Sequence, residues 1–206
     1  MSIKTIFFDL GGVLINFSHE KMCQNIAEIC DLDLDLVKAH LFEKKLSEKY
    51  ERGAIDSETL HKHFCQLSKK PLEFEGLMQA TSSIFSLKEE MPPILEALKK
   101  QNIALILLSN TCEAHFSQVD KQFPFLKLFD GFILSYEVKA RKPEKTIYEA
   151  ALEMSQMEAD QCFYVDDVLE YVEAARDFGI DSHHFEGAPN LISSLEKRDI
   201  NLQGSV

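Results

Sequence analysis

The chain has 206 residues, 45% of them apolar and 27% charged, which suits one folding unit with at most one insertion and excludes a disordered chain. Its 22 basic and 34 acidic residues leave a net charge of -12, which argues against a nucleic acid or an anionic membrane as partner, since both need a basic face. A phosphate ester would bind such a chain only where a metal ion, a few Lys or Arg, or helix N-termini supply local positive charge.

Lys4 to Leu10 is a short β-branched and aromatic run that ends in Gly11-Gly12, as expected of a buried parallel strand feeding a tight turn. From Ser18 to Leu87 the pattern changes to four amphipathic segments of helical length, His19 to Cys30, Leu34 to Tyr50, Ser57 to Leu67 and Glu73 to Phe85, separated by turn signals such as Arg52-Gly53 and Lys70-Pro71. After Met91 the rhythm is that of an α/β protein. Pro92-Pro93 opens a helix through Lys100, Ile103 to Leu108 is a strand, and a helix runs from Glu113 to Lys121. Strands follow near Phe132 to Ser135, Cys162 to Val165 and Ile180 to Phe185, with helices over Glu144 to Met154 and Leu169 to Phe178 between them. The pattern predicts a Rossmann-like parallel sheet of about five strands formed by residues 1-17 and 88-206, with a four-helix unit over residues 18-87 inserted after the first strand.

Ile103 to Leu108 is the longest apolar run, far short of the roughly 20 residues that span a bilayer. The first residues lack the pattern of a signal peptide, and Cys23, Cys30, Cys65, Cys112 and Cys162 are scattered without a C-x-x-C, so a cytoplasmic protein with reduced thiols is expected. His61 with His63, and His183 with His184, have spacings that do not put both rings of a pair on one face, which favours packing over metal binding.

Four polar clusters follow predicted strands: Asp9, Ser109-Asn110-Thr111, Lys142 and Asp166-Asp167. In an open parallel sheet these strand ends share one edge, where ligands bind, so the clusters should converge. The residue types complement one another for phosphoryl transfer. Asp9, Asp166 and Asp167 offer the hard oxygen ligands that Mg²⁺ prefers, Ser109 and Lys142 can hold a phosphate, and a carboxylate against such a centre is a plausible covalent nucleophile. Asn110 is open between shaping its loop and touching substrate.

The segments Phe7-Phe8-Asp9-Leu10-Gly11-Gly12-Val13-Leu14, Leu108-Ser109-Asn110, Arg141-Lys142-Pro143 and Tyr164-Val165-Asp166-Asp167 occur in an order and at spacings that resemble the haloacid dehalogenase superfamily. The resemblance implies a phosphatase with Asp9 as nucleophile, Ser109 and Lys142 as phosphate partners, and Mg²⁺ held by Asp9, Asp167, Asp166 and the backbone carbonyl of Gly11. It also makes residues 18-87 a mobile helical cap that selects a small phosphate ester, in a monomer or a homodimer.

Two positions depart from that pattern. Most phosphatases of the superfamily carry a second Asp two residues after the nucleophile, and here that residue is Gly11. The missing general acid is worth roughly 10² to 10⁴ in rate. Slow chemistry, an easy leaving group, or another residue in the role would each fit, with His19 as one stand-in. An easy leaving group favours a sugar phosphate, a sugar 1-phosphate in particular, and the Asp-Leu-Gly motif resembles a bacterial branch acting on α-glucose 1-phosphate. Tyr171 stands where many relatives carry another metal-loop acid or amide, and Arg52 is a cap residue able to meet substrate or to lie in solvent. A weakened, regulatory binding protein and a metal-independent 2-haloacid dehalogenase are the rival readings.

Overall fold

The computed structural model describes residues 2-202. In chain order it forms β1 (Thr5–Phe8), β2 (Ile15–Asn16), α1 (His19–Cys30), α2 (Leu34–Lys38), a π-helical turn (Ala39–Glu43), α3 (Leu46–Glu51), α4 (Ser57–Leu67), α5 (Phe74–Ser82) and β3 (Ser86–Leu87). There follow α6 (Met91–Lys100), β4 (Ala104–Ser109), α7 (Glu113–Gln122), β5 (Gly131–Leu134), α8 (Ser135–Val138), α9 (Lys145–Ser155), β6 (Cys162–Asp166), α10 (Leu169–Asp177), β7 (Asp181–His184) and α11 (Ala188–Glu196).

Five strands form one sheet in the order β5-β4-β1-β6-β7, and every neighbouring pair is parallel. The expected α/β fold with a Rossmann-like core is therefore observed. β1 is central, and its side chains alternate between two apolar layers: Ile6 and Phe8 join one, Phe7 the other. That alternation is the period of two that any strand imposes, and burial on both faces explains why the run is apolar throughout.

The register sets the site. Phe8 lies opposite Leu107 of β4 and Val165 of β6, and the Asp9 amide donates to the Val165 carbonyl at 2.9 Å. Asp9 is thus the first residue past the central strand, level with the ends of its two neighbours.

Between β2 and β3, which pair antiparallel to each other, residues 17-85 contain helices and turns only. These helices share an apolar cluster that includes Met22, Ile26, Leu60, Phe64 and Leu77 and reaches Cys112 and Ala114 at the start of α7. The segment expected as one helix from Leu34 to Tyr50 is broken: a π-helical turn follows α2, and Lys45 takes a left-handed φ of 56° before α3. The wider turn buries His40 and Leu41, and places His40 Nδ1 2.8 Å from His63 Nε2. A partner 23 residues away overrides the local helical period. β2 and β3 are two residues each, too short to show as a strand pattern. Among the described residues no helix is long and apolar enough to cross a membrane.

Candidate active site

Asp9, Ser109, Lys142 and Asp167 border one cavity of about 200 Å³ at the C-terminal edge of the sheet. Lys142 is its electrostatic hinge. Its buried ammonium donates to Asp9 Oδ1 at 2.7 Å, Asp166 Oδ2 at 2.6 Å and the Leu108 carbonyl at 3.0 Å, so all three protons are taken. Burial works against the charge on Lys142, but Asp166 and Asp9 outweigh it and raise its pKa. Burial raises the Asp9 carboxyl to about 7 despite the pull of Lys142, with Asp166 and Asp167 adding repulsion. Asp167 is raised as well, by burial and by Asp166.

Asp9, Asp166 and Asp167 each present an oxygen, and the three oxygens lie within 4.8 Å of one another. Three carboxylates thus meet a single ammonium, and a hard divalent cation fits both their donor type and their charge excess. Asp166 is fully buried, and both its oxygens are engaged: Oδ2 accepts from Lys142 and the Tyr164 hydroxyl, Oδ1 from the Val168 amide at 2.8 Å. Asp167 is the more accessible acid. His184, on β7, donates from Nε2 to the Asp167 carbonyl at 3.0 Å and so steadies this loop, a role its spacing from His183 does not reveal. Gly12 explains how the first loop reaches Asp167: at φ 80° a Cβ on it would collide with the Asp167 carboxylate, so glycine is required.

Asn110 is bound to the Lys142 backbone at both ends of its amide. Its Nδ2 donates to the Lys142 carbonyl at 3.1 Å, and its Oδ1 accepts from the Lys142 amide at 2.8 Å. These bonds hold the loop of Lys142, and Asn110 also borders the cavity. Ser109 is buried at the end of β4 and borders the cavity. Gly11 borders it too, beside Phe17.

The opposite wall comes from the helical segment and the start of α7, with Phe17, His19, Ile84, Phe85 and His115 among its residues. Burial lowers the pKa of His19, which stands on this wall of the cavity. Arg52 does not border the cavity; it forks onto Glu144 at 2.6 and 2.8 Å, joining α3 to the start of α9. The residue that does reach over the site from α3 is Glu51, whose carboxylate meets Arg141 at 2.9 Å. Ser135, buried at the start of α8, accepts from the Thr111 amide at 2.9 Å and donates to the Glu51 carbonyl at 2.6 Å. Glu51, Ser135 and His115 were not foreseen as site residues: Glu51 and Ser135 meet partners far away in the chain, and His115 reaches the cavity wall only in the fold. Tyr171 faces the cavity, with its hydroxyl 3.5 Å from Asn110 Nδ2.

The chain is similar along nearly its whole length to enzymes acting on phosphate esters. It is 26% identical to a sesquiterpene phosphatase of Aspergillus oryzae, covering 97% of this chain and 97% of that protein. It is also 26% identical to a D-ribitol-5-phosphate phosphatase of Bacteroides thetaiotaomicron, covering 94% of this chain and 97% of that one. Among solved structures, a haloacid dehalogenase family enzyme from Bacteroides thetaiotaomicron, in complex with magnesium and inorganic phosphate, superposes with a TM-score of 0.76 at 26% identity, over 88% of this chain and 93% of that chain. The model of haloacid dehalogenase-like hydrolases matches residues 3–179, which contain the sheet edge with Asp9, Ser109, Lys142, Asp166 and Asp167, and the chain belongs to that family.

Proposed function

We propose that this hydrolase is a Mg²⁺-dependent phosphatase that releases phosphate from a small phosphorylated metabolite by way of a phosphorylated Asp9. The observation that carries the reading is the Asp9 carboxylate, held 2.7 Å from Lys142 and grouped with oxygens of Asp166 and Asp167 at the mouth of a cavity. Asp9, Asp167 and Asp166, with the Gly11 backbone, would hold the ion, which supplies positive charge to the phosphoryl oxygens when bound.

In the first step Asp9 forms a bond to phosphorus as the bond from phosphorus to the ester oxygen breaks, and that oxygen leaves with a proton from solvent. Water then attacks phosphorus, the bond to Asp9 breaks, and inorganic phosphate departs. Ser109 holds the phosphoryl group, Lys142 offsets its charge from beside Asp9 and turns a proton toward it only by giving up one of its three present partners, and Asn110 fixes the Lys142 backbone. Residues 18-87 serve as a cap over a core of residues 1-17 and 88-206. The β2–β3 pair at the junction and the apolar cluster built mainly by the intervening helices support that division.

The substrate class in this reading is a sugar or polyol phosphate, a sugar 1-phosphate included. An anomeric oxygen leaves more readily than a simple alkoxide, which suits a site with Gly11 where an acid would stand, and one relative bears the name of a polyol phosphate phosphatase. Five free cysteines support a cytoplasmic location. The test is phosphate release from a panel of phosphorylated metabolites with Mg²⁺, using Asp9→Asn as the blank. Turnover that vanishes in Asp9→Asn and on chelation is expected. Turnover indifferent to both overturns the mechanism, and Mg²⁺ binding without turnover makes the chain a binding protein.

A further inference from the structure

Three buried side-chain nitrogens among the described residues have no hydrogen-bond partner: His115 Nε2, Arg141 Nε and His183 Nε2. Two of the three, on His115 and Arg141, belong to residues that border the same cavity. Buried polar groups are satisfied in nearly all folded proteins, so two orphans beside one cavity point to a ligand that completes them.

Their chemistry is complementary. Arg141 pairs through Nη2 with Glu51 at 2.9 Å, its Nη1 lies 3.9 Å from Glu48, and its Nε–H remains as a donor. His115 stands on the first turn of α7, edge-on to Phe85 with ring centroids 5.3 Å apart. Burial, with His19 adding repulsion, lowers its pKa to about 4 and keeps the ring neutral, with the Thr81 backbone pulling the other way. A neutral ring has one N–H and one lone pair, and with the proton on Nδ1, the nitrogen nearer the Thr81 backbone pull, the unpartnered Nε2 presents the lone pair. A neutral acceptor of this kind does not attract phosphate, which is itself an acceptor. It attracts an O–H.

We infer that His115 is a specificity residue whose Nε2 accepts a hydrogen bond from a hydroxyl on the carbon skeleton of the phosphate ester, with Arg141 Nε available to the same polar part of the substrate. The inference rests on the phosphatase reading and names a residue that selects hydroxylated over purely alkyl esters. The surrounding wall fits that division of labour: Phe17, Ile84 and Phe85 offer apolar contact to carbon atoms, and the few polar atoms choose orientation.

The experiment compares kcat/KM for the best sugar or polyol phosphate of a panel with that for the n-alkyl phosphate of equal chain length. Both share the phosphoryl chemistry, so losses of folded enzyme cancel in the ratio. The native ratio is expected to favour the hydroxylated ester by about ten-fold or more, the size of a hydrogen bond to a buried group. His115→Phe should bring the ratio several-fold closer to one, and His115→Gln, which can keep an acceptor near the Nε2 position, should restore most of it. A native ratio at or below one, no turnover of any hydroxylated ester, or a ratio unmoved by His115→Phe overturns the inference while Asp9-dependent hydrolysis of p-nitrophenyl phosphate still stands. Absence of Asp9-dependent hydrolysis of every ester, p-nitrophenyl phosphate included, overturns the phosphatase reading and the inference with it.

Discussion

The ring of Phe17 occupies the space next to Gly11: a Cβ built on Gly11 would stand 2.9 Å from Phe17 Cε1 and 3.0 Å from Cδ1. The position that carries an acid in many phosphatases of the family is thus closed by an aromatic ring that is itself 43% exposed and borders the cavity. Gly11→Asp must push that ring aside, so the single variant should gain little or lose activity. Gly11→Asp with Phe17→Ala should exceed Gly11→Asp by about ten-fold or more in kcat on an alkyl ester, where leaving-group protonation matters most. Steady-state kinetics decide it; equal rates for the single and double variants would show that the ring does not exclude the acid.

Removing the ammonium of Lys142 leaves Asp9 and Asp166 buried against each other. Lys142→Met should lose stability by about 3 to 5 kcal/mol, the usual result of orphaning a buried charge, and should lose phosphatase activity. Added Mg²⁺ should raise the Tm of this variant by more than it raises that of the native protein, because the ion then supplies the missing neutralisation. Calorimetry with and without Mg²⁺ checks this. Equal Mg²⁺ shifts in the two proteins would remove the link between Lys142 and the acids' charge excess.

Burial pushes the pKa of His115 from 6.5 down to about 4. Between those values the unfolded chain holds a proton on this ring that the folded chain lacks, so stability rises with pH across the window and is lost on acidification. The contribution is at most about 3 kcal/mol by pH 4. Denaturant melts at pH 7 and pH 4.5 should therefore differ less for His115→Phe than for the native protein, since all other titrating groups are common to both. An equal difference would show that His115 is protonated in the folded state.

The strand-end motifs were legible because they are local: an apolar run ending in Asp9, and another ending in Asp166-Asp167, need no knowledge of the rest of the chain. The parallel order followed from their alternation with helices, and the sheet has the expected number of strands. Phe17, Glu51 and His115 were not legible as a group, since they come from a β2–α1 connection, the end of α3 and the start of α7, and meet only after folding. Asn110 shows the same limit at closer range. Its residue type allowed either role, and its paired bonds to the Lys142 backbone, 32 residues on, show only in the fold. The break in the expected helix after Lys38 likewise depends on His63, which no local pattern can signal.

The central claim is a covalent bond between phosphorus and Asp9. Rapid acid quench of the enzyme during turnover with Mg²⁺, followed by mass analysis of its peptides, tests that bond directly. The expected result is the added mass of one HPO₃ group on the peptide containing Asp9, in the native protein and not in Asp9→Asn. Turnover that proceeds with Asp9 unmodified at every quench time, or that survives in Asp9→Asn, would contradict the account.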